Sequence, residues 1–305
     1  MTSVLVLGGG PDAEREVSLN SARAVGAALR ASGRFVVHEA TIGRITGAEL
    51  AALKGDVVAP VLHGAFGEGG PLQDLLAASG RPYVGCRSRA ARLAMDKVAT
   101  KAAAMRAGLA TSAFGVLNSA DEEVPIDPPF VVKPVHDGSS VGLHVCRTRE
   151  DWSRARQAVA DDLRTRPGRA YFFEGFIAGR ELTVGVLDGE PLPVIEIVPA
   201  AGVYDYDAKY IRNDTRYVVN PDLPGPLVAL LGEQARALTN EIGVRHLARV
   251  DFLLDEEGTP WLLEVNTMPG FTDHSLVPMA ARSVGLEMPA LWARLVGLAL
   301  RDGPG

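Results

Sequence analysis

The pattern of apolar and polar positions along the chain predicts short strands that alternate with amphipathic helices. Short apolar runs are typical of buried strands, and apolar residues that recur every third or fourth position are typical of helices. Strands are predicted at 4–7, 57–62, 81–86, 113–117 and 192–198, and helices at 18–30, 88–107, 151–163, 227–242 and 289–300. Because strands and helices alternate, we expect a mixed α/β fold that begins with a doubly wound unit.

The segment 247–270 is predicted to organise the rest of the chain. Two apolar runs of alternating pattern flank a turn cluster at 255–259, which predicts a β-hairpin. In an unbulged hairpin centred on Glu257 and Gly258, the facing pairs are Arg249 with Asn266, Asp251 with Glu264, and Leu253 with Leu262. The other face collects only apolar side chains: Val250, Phe252, Leu254, Trp261, Leu263 and Val265. We therefore expect one face of the hairpin to be core.

The polar face of this hairpin places two carboxylates side by side. Asp251 and Glu264 would lie about 5 Å apart with no lysine opposite them, which is unfavourable unless a positive charge lies between them. Together with Asn266 they form a set of oxygen ligands, which Mg2+ prefers. A solvent-facing polar strand is the commoner fate of such residues. The metal interpretation is favoured here because both strands are otherwise strongly apolar.

Composition narrows the class of protein. A chain of 305 residues can form two or three domains with substantial cores. Its net charge of −6 argues against a nucleic-acid-binding protein, although a local basic phosphate site is compatible with it. The spacing of Cys86 and Cys146 matches no zinc or redox motif, so we expect buried thiols in a reducing compartment.

The first residues lack the basic segment and the long apolar core of a signal peptide. No apolar run approaches the ~20 residues that a membrane-spanning helix needs. We therefore expect a cytoplasmic protein with no membrane partner.

Polar residues follow two of the apolar strands in the N-terminal part of the chain. The first strand leads into the glycines at 8–10, but without the full G-x-G-x-x-G spacing a dinucleotide site is only weakly indicated. Glu14, in the charged cluster that follows, is placed to hold a substrate amine, although a solvated cluster is the favoured interpretation of this stretch alone. His63 follows the strand 57–62 beside a flexible loop and is a candidate substrate contact, although a lone histidine is a weak signal.

Two further loops carry candidate phosphate-binding and lid residues. Lys133 ends an apolar strand, and the glycine- and serine-rich loop 136–140 follows it. Backbone N–H groups beside a cation bind phosphate oxygens, but a surface hairpin turn is an equally good interpretation of this loop alone. The segment 201–217 is polar and rich in tyrosine, which is more typical of a lid than of core.

Eight motifs, in this order and at this spacing, make the chain resemble the D-alanine–D-alanine ligases of the ATP-grasp superfamily. They are GGPDAEREVSLNS, LHGAFGEGG, AMDKVATK, VVKPVHDGSSVG, FFEGFIAGRELTV, YDYDAKY, RVDFLLD and LLEVNTMPGFTDHSLVPM. The resemblance covers nearly the whole chain. It implies a three-domain ATP-grasp architecture: an N-terminal Rossmann-like α/β domain at 1–87, a central ATP-grasp subdomain at 88–178, and a C-terminal subdomain at 179–305 with the metal site and lid.

The resemblance also implies a reaction. ATP phosphorylates the carboxylate of one D-alanine, and the amine of a second D-alanine attacks the acyl phosphate, which yields D-alanyl-D-alanine for peptidoglycan synthesis. ATP as substrate and Mg2+, replaceable by Mn2+, are the expected cofactors, and a homodimer is the expected assembly. One alternative is another ATP-grasp carboxylate–amine ligase, such as a D-alanine–D-lactate ligase. The other is a non-catalytic nucleotide-binding module, against which the trio of Asp251, Glu264 and Asn266 argues.

The site residues that the resemblance implies fall into four groups. Catalysis is expected from Glu14, Ser139, Tyr210, Arg249 and Gly270. Substrate contacts are expected from His63, Ser275 and Leu276. ATP contacts are expected from Lys97, Lys133, Glu174, Phe176, Ile177, Glu181 and Lys209. The expected metal ligands are Asp251, Glu264 and Asn266.

Some of these roles are specific. Glu14 is expected to anchor the amine of the first substrate, and Arg249 with the amide of Gly270 to stabilise the tetrahedral oxyanion. Tyr210 favours an amine nucleophile, because relatives that use D-lactate typically lack this lid tyrosine.

Two positions depart from the family pattern. Gly69 stands where an aspartate is common, and Gly175 replaces a usually polar hinge residue. Because the hinge contacts adenine mainly through backbone groups, the expected consequence of Gly175 is limited to affinity.

Overall fold

The computed structural model describes residues 1–118, 123–138, 141–199 and 215–304, and strands in this part of the chain form three sheets. The first sheet consists of β1 (Ser3–Gly9), β2 (Val36–Ile42) and β3 (Val57–Pro60). These strands run parallel in the order β2-β1-β3. The accompanying helices are α1 (Arg15–Ala31), α2 (Gly47–Ala52), α3 (Gly64–Gly67) and α4 (Pro71–Ala78). The predicted doubly wound start is thus a parallel sheet with helices between its strands.

The predicted strand 81–86 is wrong as a regular strand. It reduces to two isolated bridges: Tyr83 lies opposite Val58, whose backbone hydrogen-bonds the residues on both sides of Tyr83, and Pro82 lies opposite Pro304. The pairing stops at Gly85, whose φ of 103° turns the chain away from the sheet.

The predicted helix 88–107 is wrong as a single helix, because it consists of α5 (Ser88–Met95) and α6 (Lys97–Arg106). Asp96 separates them. Its backbone leaves the helical region, at φ −83° and ψ 103°, and its side chain accepts a hydrogen bond from the Ala99 amide at 2.9 Å. This N-cap satisfies a backbone donor at the start of α6.

The second sheet is antiparallel. It consists of β4 (Phe114–Leu117), β5 (Phe130–Pro134), β6 (His144–Cys146) and β7 (Tyr171–Gly175), in the order β4-β7-β5-β6. Helix α7 (Arg149–Thr165) packs on it through Trp152, whose ring meets Phe130 edge to face with ring centroids 5.8 Å apart. This aromatic contact stabilises the sheet from one side.

The third sheet contains the predicted hairpin. Its strands are β8 (Arg180–Leu187), β9 (Glu190–Pro191), β10 (Ile195–Val198), β11 (Arg216–Val219), β12 (Leu247–Leu254) and β13 (Pro260–Asn266). The order is β11-β10-β8-β12-β13, and β9 pairs with β8. The remaining helices are α8 (Gly225–Ile242), α9 (Leu276–Ser283) and α10 (Met288–Asp302).

The register of the hairpin is confirmed for two of the three predicted pairs. Arg249 faces Asn266 and Asp251 faces Glu264, but a bulge follows, so that Leu253 faces Trp261 and Phe252 faces Leu262. The expected unbulged pairing is therefore wrong beyond Asp251. The extra residue, Leu263, moves Leu262 into the core at 2 % exposure, while Trp261 and Leu263 are only half-buried.

Packing crosses the ranges predicted for the three domains. Small residues of α5 and α6, such as Ala91 and Ala104, lie in one buried cluster with Val250 and Phe252 of the third sheet. At the other end of the chain, Trp292 of α10 is fully buried in a cluster that includes residues of β1 and β3. The core of the first sheet therefore needs the C-terminal helix.

In the described part of the chain, no single helix is long and apolar enough to cross a membrane. Length and composition alone would permit one bent pair, α9 with α10, which meet at 104°.

Candidate active site

A cavity of about 600 Å3 lies where the loops after β1, β3, β5 and β13 meet. Nine of the predicted site residues line it: Glu14, His63, Lys97, Arg249, Glu264, Asn266, Gly270, Ser275 and Leu276. The fold thus brings candidates for catalysis, substrate binding, phosphate binding and metal binding into one space.

Glu14 and His63 reach the cavity from the carboxyl ends of neighbouring parallel strands, where ligands of open α/β sheets bind. Ser18 of α1 ties these strand ends together. Its hydroxyl accepts a hydrogen bond from the Gly9 amide at 2.9 Å and donates one to the Val61 carbonyl. The helix start that carries Glu14 is therefore fixed against both strands.

A solvated cluster is the favoured interpretation of residues 14–16 from that stretch alone. This is wrong for Glu14 and Arg15, which are half-buried, and holds for Glu16, which is exposed. The Arg15 guanidinium donates to the carbonyls of Gly10 and Ile42, at 2.7 and 2.8 Å. Arg15 thus holds the glycine turn, and Glu14 faces the cavity.

His63 is buried and neutral. Its Nδ1 lies 2.8 Å from the Met268 carbonyl, to which it donates. Burial lowers the pKa of His63 to about 4, although the Met268 hydrogen bond opposes this. Nε2 is buried without a hydrogen-bond partner in the described residues, although His63 as a residue lines the cavity.

Glu68 is a cavity residue that the sequence analysis missed. Its carboxylate accepts hydrogen bonds from the amides of Gly64 and Met268, at 3.2 and 3.1 Å, and lies 4.0 Å from His63 Nδ1. Burial raises the pKa of Glu68 to about 8, and the nearby Glu14 carboxylate adds to this rise. In the sequence, this role is indicated only by a single acidic residue in the glycine-rich loop after His63. Only the fold shows that this acid joins that loop to the chain after β13.

Arg249 and Asp251 form a close pair on the polar face of β12. Arg249 donates from Nε and Nη2 to the two carboxylate oxygens of Asp251, at 2.9 and 2.7 Å, and the Thr183 hydroxyl donates to the same carboxylate at 2.5 Å. Asp251 is 2 % exposed and lies behind Arg249, which lines the cavity. The predicted oxyanion donor and one predicted metal ligand are therefore bound to each other.

The other two predicted metal ligands, Glu264 and Asn266, line the cavity directly. Asp251 lies opposite Glu264 in the hairpin register. Two carboxylates and one amide oxygen are ligands that Mg2+ accepts, so these residues fit that ion. The described residues contain no group of three or more His, Cys, Asp or Glu placed to hold a metal, and this site combines only two carboxylates with the amide of Asn266.

Glu174 lies in a buried cluster with two lysines, one of which the sequence analysis missed. Lys133 Nζ and Lys101 Nζ each lie 2.6 Å from one of its carboxylate oxygens. Burial alone would raise the pKa of Glu174, but the two lysines together lower it to about 2. Lys101, 1 % exposed, also donates to the Thr111 hydroxyl at 2.7 Å. Lys101 is thus the second cation of this cluster.

The remaining predicted ATP contacts lie near the ends of β7 and β8. The amide of Phe176 donates to the Pro129 carbonyl at 3.2 Å, and Ile177 is half-buried beside it. Glu181, in β8, lies opposite Leu253 of β12. These residues do not line the cavity formed by the described part of the chain.

Lys97 lines the cavity, and its ammonium donates to the Asp137 carbonyl in the loop after β5. Three further predicted residues, Ser139, Lys209 and Tyr210, lie outside the described residues.

The substrate-binding candidates after β13 are closely packed. Ser275 precedes α9, and its hydroxyl accepts a hydrogen bond from the Thr272 amide at 2.9 Å. A Cβ atom on Gly270 would lie 2.8 Å from that hydroxyl. A side chain on Gly270 would therefore displace the Ser275 hydroxyl.

The two departures from the family differ in steric freedom. A Cβ atom on Gly69 would lie 2.4 Å from the Ala65 carbonyl oxygen, so the backbone here leaves no room for an aspartate. A Cβ atom on Gly175 would make only ordinary contacts, the nearest at 3.7 Å.

The three sheets of mixed α/β type match the fold of the ATP-grasp D-alanine–D-alanine ligases, and the cavity is lined by lysine, arginine and acidic residues. The family model described as "D-ala D-ala ligase C-terminus" matches residues 108–297. The D-alanine–D-alanine ligase of Bordetella petrii is 42% identical over 304 residues, which cover 96% of this chain and 91% of the relative. The D-alanine–D-alanine ligase of Syntrophotalea carbinolica is 40% identical, and the match covers 98% of this chain and 96% of the relative.

Solved structures agree with this comparison. A crystal structure of the D-alanine–D-alanine ligase from Bacillus anthracis has a TM-score of 0.86 and 28% identity, and the match covers 99% of this chain and 98% of that one. The same enzyme complexed with ATP has a TM-score of 0.82 and 25% identity, with the same coverage. This chain belongs to the D-alanine–D-alanine ligase family.

Proposed function

We propose that this protein joins two D-alanines into D-alanyl-D-alanine, with ATP, in the synthesis of peptidoglycan precursors. The observation that carries the proposal is the convergence of Glu14, Lys97, Arg249 and Glu264 on one cavity. A carboxylate–amine ligation needs an acidic side chain that holds the substrate amine, cations that bind phosphate, and an acidic side chain that binds a metal ion.

In the first step, a carboxylate oxygen of one D-alanine attacks the γ-phosphorus of ATP, and ADP leaves. Glu14 holds the ammonium group of this substrate, and Lys97 with Lys133 neutralises phosphate charge. Lys133 is paired with Glu174 at 2.6 Å, so phosphate competes with that carboxylate for the ammonium.

In the second step, the amine nitrogen of the second D-alanine attacks the carbonyl carbon of the acyl phosphate. A C–N bond forms, the C–O bond to phosphate breaks, and the departing phosphate takes up the proton that the nitrogen loses. Arg249 and the Gly270 amide stabilise the oxyanion, while Ser275 and the start of α9 bind the second carboxylate. Because Asp251 fixes Arg249 through two hydrogen bonds, the guanidinium is held in place before the reaction.

Asp251, Glu264 and Asn266 would hold Mg2+ or Mn2+, which neutralises the phosphate oxygens when bound. Glu174 and the backbone at Phe176 and Ile177 bind adenine, and Glu181 the ribose hydroxyls. Lys209 reaches the γ-phosphate, and Ser139 with Tyr210 links the lid to Glu14.

The proposal extends to domains and surroundings. The three units are 1–87, 88–178 and 179–305, supported by a separate sheet within each range. The protein acts in the cytoplasm as a homodimer, without nucleic acid or membrane. Light scattering on a sizing column, at several concentrations, tests the dimer.

Phosphate release from ATP tests the function and separates it from its alternatives. D-alanine is expected to stimulate release, and L-alanine is not. Stimulation by D-alanine together with D-lactate, but not by D-alanine alone, would identify the depsipeptide ligase instead. Nucleotide binding without any release would identify a non-catalytic module, and either result would overturn the proposal.

A further inference from the structure

Arg169 lies outside the cavity, yet it contacts the loop that forms one of the cavity walls at two points. Its Nε donates to the carboxylate of Asp137, and its Nη2 lies 3.4 Å from the Val141 carbonyl oxygen. The side chain is only 9% exposed. One guanidinium therefore contacts both Asp137 and Val141.

The other side of the guanidinium is held by regular structure. Nη1 donates to Asp162 of α7 at 2.9 Å, and the guanidinium carbon lies 5.4 Å from the centre of the Tyr171 ring in β7. The Tyr171 hydroxyl donates to the same Asp162 carboxylate at 3.0 Å. Arg169 is thus fixed to α7 and β7, and its contacts with the loop limit how far the loop can move.

The held part of the loop touches two residues of the proposed active site. Asp137 accepts a hydrogen bond from Lys97 through its carbonyl oxygen. A Cβ atom on Gly138 would lie 2.8 Å from Oε1 of Glu14, so the backbone passes very close to that carboxylate. Asp137 and Gly138 both line the cavity.

Nearby ion pairs of α7 differ in kind. Arg164 pairs with Asp161, and Arg166 pairs with Asp162, but these arginines are 70% and 56% exposed. Exposed pairs of this kind contribute little to stability. Arg166 shares Asp162 with Arg169 but has no contact with Asp137 among the described residues, which makes it a matched control.

We propose that Arg169 is a positioning residue for the ligation: it sets the distance of Asp137 and Gly138 from Lys97 and Glu14. The inference rests on the proposed function. Without the guanidinium, the Asp137 carboxylate loses its buried partner and the loop backbone moves. Because Lys97 contacts Asp137 and is proposed to bind phosphate, a small movement of the loop is expected to weaken ATP binding measurably.

The test compares Arg169→Gln with Arg166→Gln in the full-length protein. In Arg169→Gln, we expect amide hydrogen exchange at 137, 138, 141 and 142 to accelerate about tenfold, and the KM for ATP to rise about tenfold with a smaller change in kcat. Arg166→Gln should change neither quantity. Arg169→Lys, which keeps a cation near Asp137, should recover part of the loss.

A lower melting temperature of Arg169→Gln without faster exchange at these amides, or with an unchanged KM, would overturn the proposal. If Arg169→Gln does not fold, Asp137→Asn removes the same contact from the other side and must show the same two changes. If the wild type releases no phosphate with D-alanine, the proposed function fails. Calorimetric affinity for ADP with Mg2+ then still tests Arg169, because it should weaken in Arg169→Gln and not in Arg166→Gln.

Discussion

Gly138 and Glu14 approach so closely that a Cβ atom on Gly138 would lie 2.8 Å from Oε1 of Glu14. Non-bonded carbon and oxygen atoms do not approach this closely, so a side chain at position 138 would force the loop or the Glu14 carboxylate to move. The loop after β5 and the start of α1 are far apart in sequence, and they meet at the wall of the cavity. Glycine at this position therefore lets the loop lie against the carboxylate.

Gly138→Ala is expected to displace Glu14 or the loop and to raise the KM for the first D-alanine about tenfold. Steady-state kinetics at saturating ATP measures this change. Gly168→Ala is the control, because a Cβ atom there meets no atom within 4 Å. An equal KM in both variants would show that the close approach has no role in binding.

Glu264→Gln should leave the fold intact and reduce Mg2+-dependent turnover by about 100-fold or more, since the neutral amide binds a divalent cation poorly. Phosphate release as a function of Mg2+ concentration is the measurement. Glu256→Gln, in the exposed turn of the hairpin, is the control. Full activity of Glu264→Gln would make the polar face of the hairpin structural.

Lys101→Met should destabilise the protein by roughly 3 kcal/mol, because removing one partner leaves part of the buried Glu174 charge uncompensated. The exposed Lys54→Met should change stability by less than about 0.5 kcal/mol. Urea unfolding measures both. We also expect a higher KM for ATP in Lys101→Met, since Glu174 and Lys133 lose a fixed neighbour. A stability loss no larger than that of the control would contradict the role of this cluster.

The buried side chain of His246 is expected to lower the free energy of unfolding at acidic pH. Burial lowers the pKa of His246 to about 4, from 6.5, and its Nδ1 accepts the Gly85 amide at 3.0 Å, which requires the neutral ring. Because the unfolded state binds a proton first, stability falls as the pH drops from 6.5 towards 4, by an amount on the order of 2–3 kcal/mol.

His246→Asn should make this decline shallower, and asparagine tolerates the φ of 66° at this position. Urea midpoints at pH 7 and pH 5 give the comparison. His63 contributes in the same direction, because its pKa is also lowered to about 4, whereas Glu68, whose pKa is raised to about 8, contributes in the opposite direction. The effect of His246 is therefore the difference between wild type and variant at each pH. An identical pH dependence in wild type and variant would contradict the assignment.

Much of the hairpin could be predicted from residue alternation, and the pairs Arg249 with Asn266 and Asp251 with Glu264 are confirmed. The bulge at Leu263 could not, because strict alternation contains no sign of an inserted residue. The break at Asp96 was missed for a related reason: the apolar pattern continues through it, and the N-cap that stops α5 is a local polar interaction.

The sequence by itself determined the family, the alternation of strands and helices, and nine of the residues that line the cavity, since motif order and residue type are local information. Only the tertiary structure decided how these residues pair. It placed Asp251 behind Arg249, added Lys101 to Glu174, put Glu68 between two loops and brought Arg169 to Asp137. Each of these contacts depends on burial and on which distant segments the sheets bring together, and neither can be read from neighbouring residues.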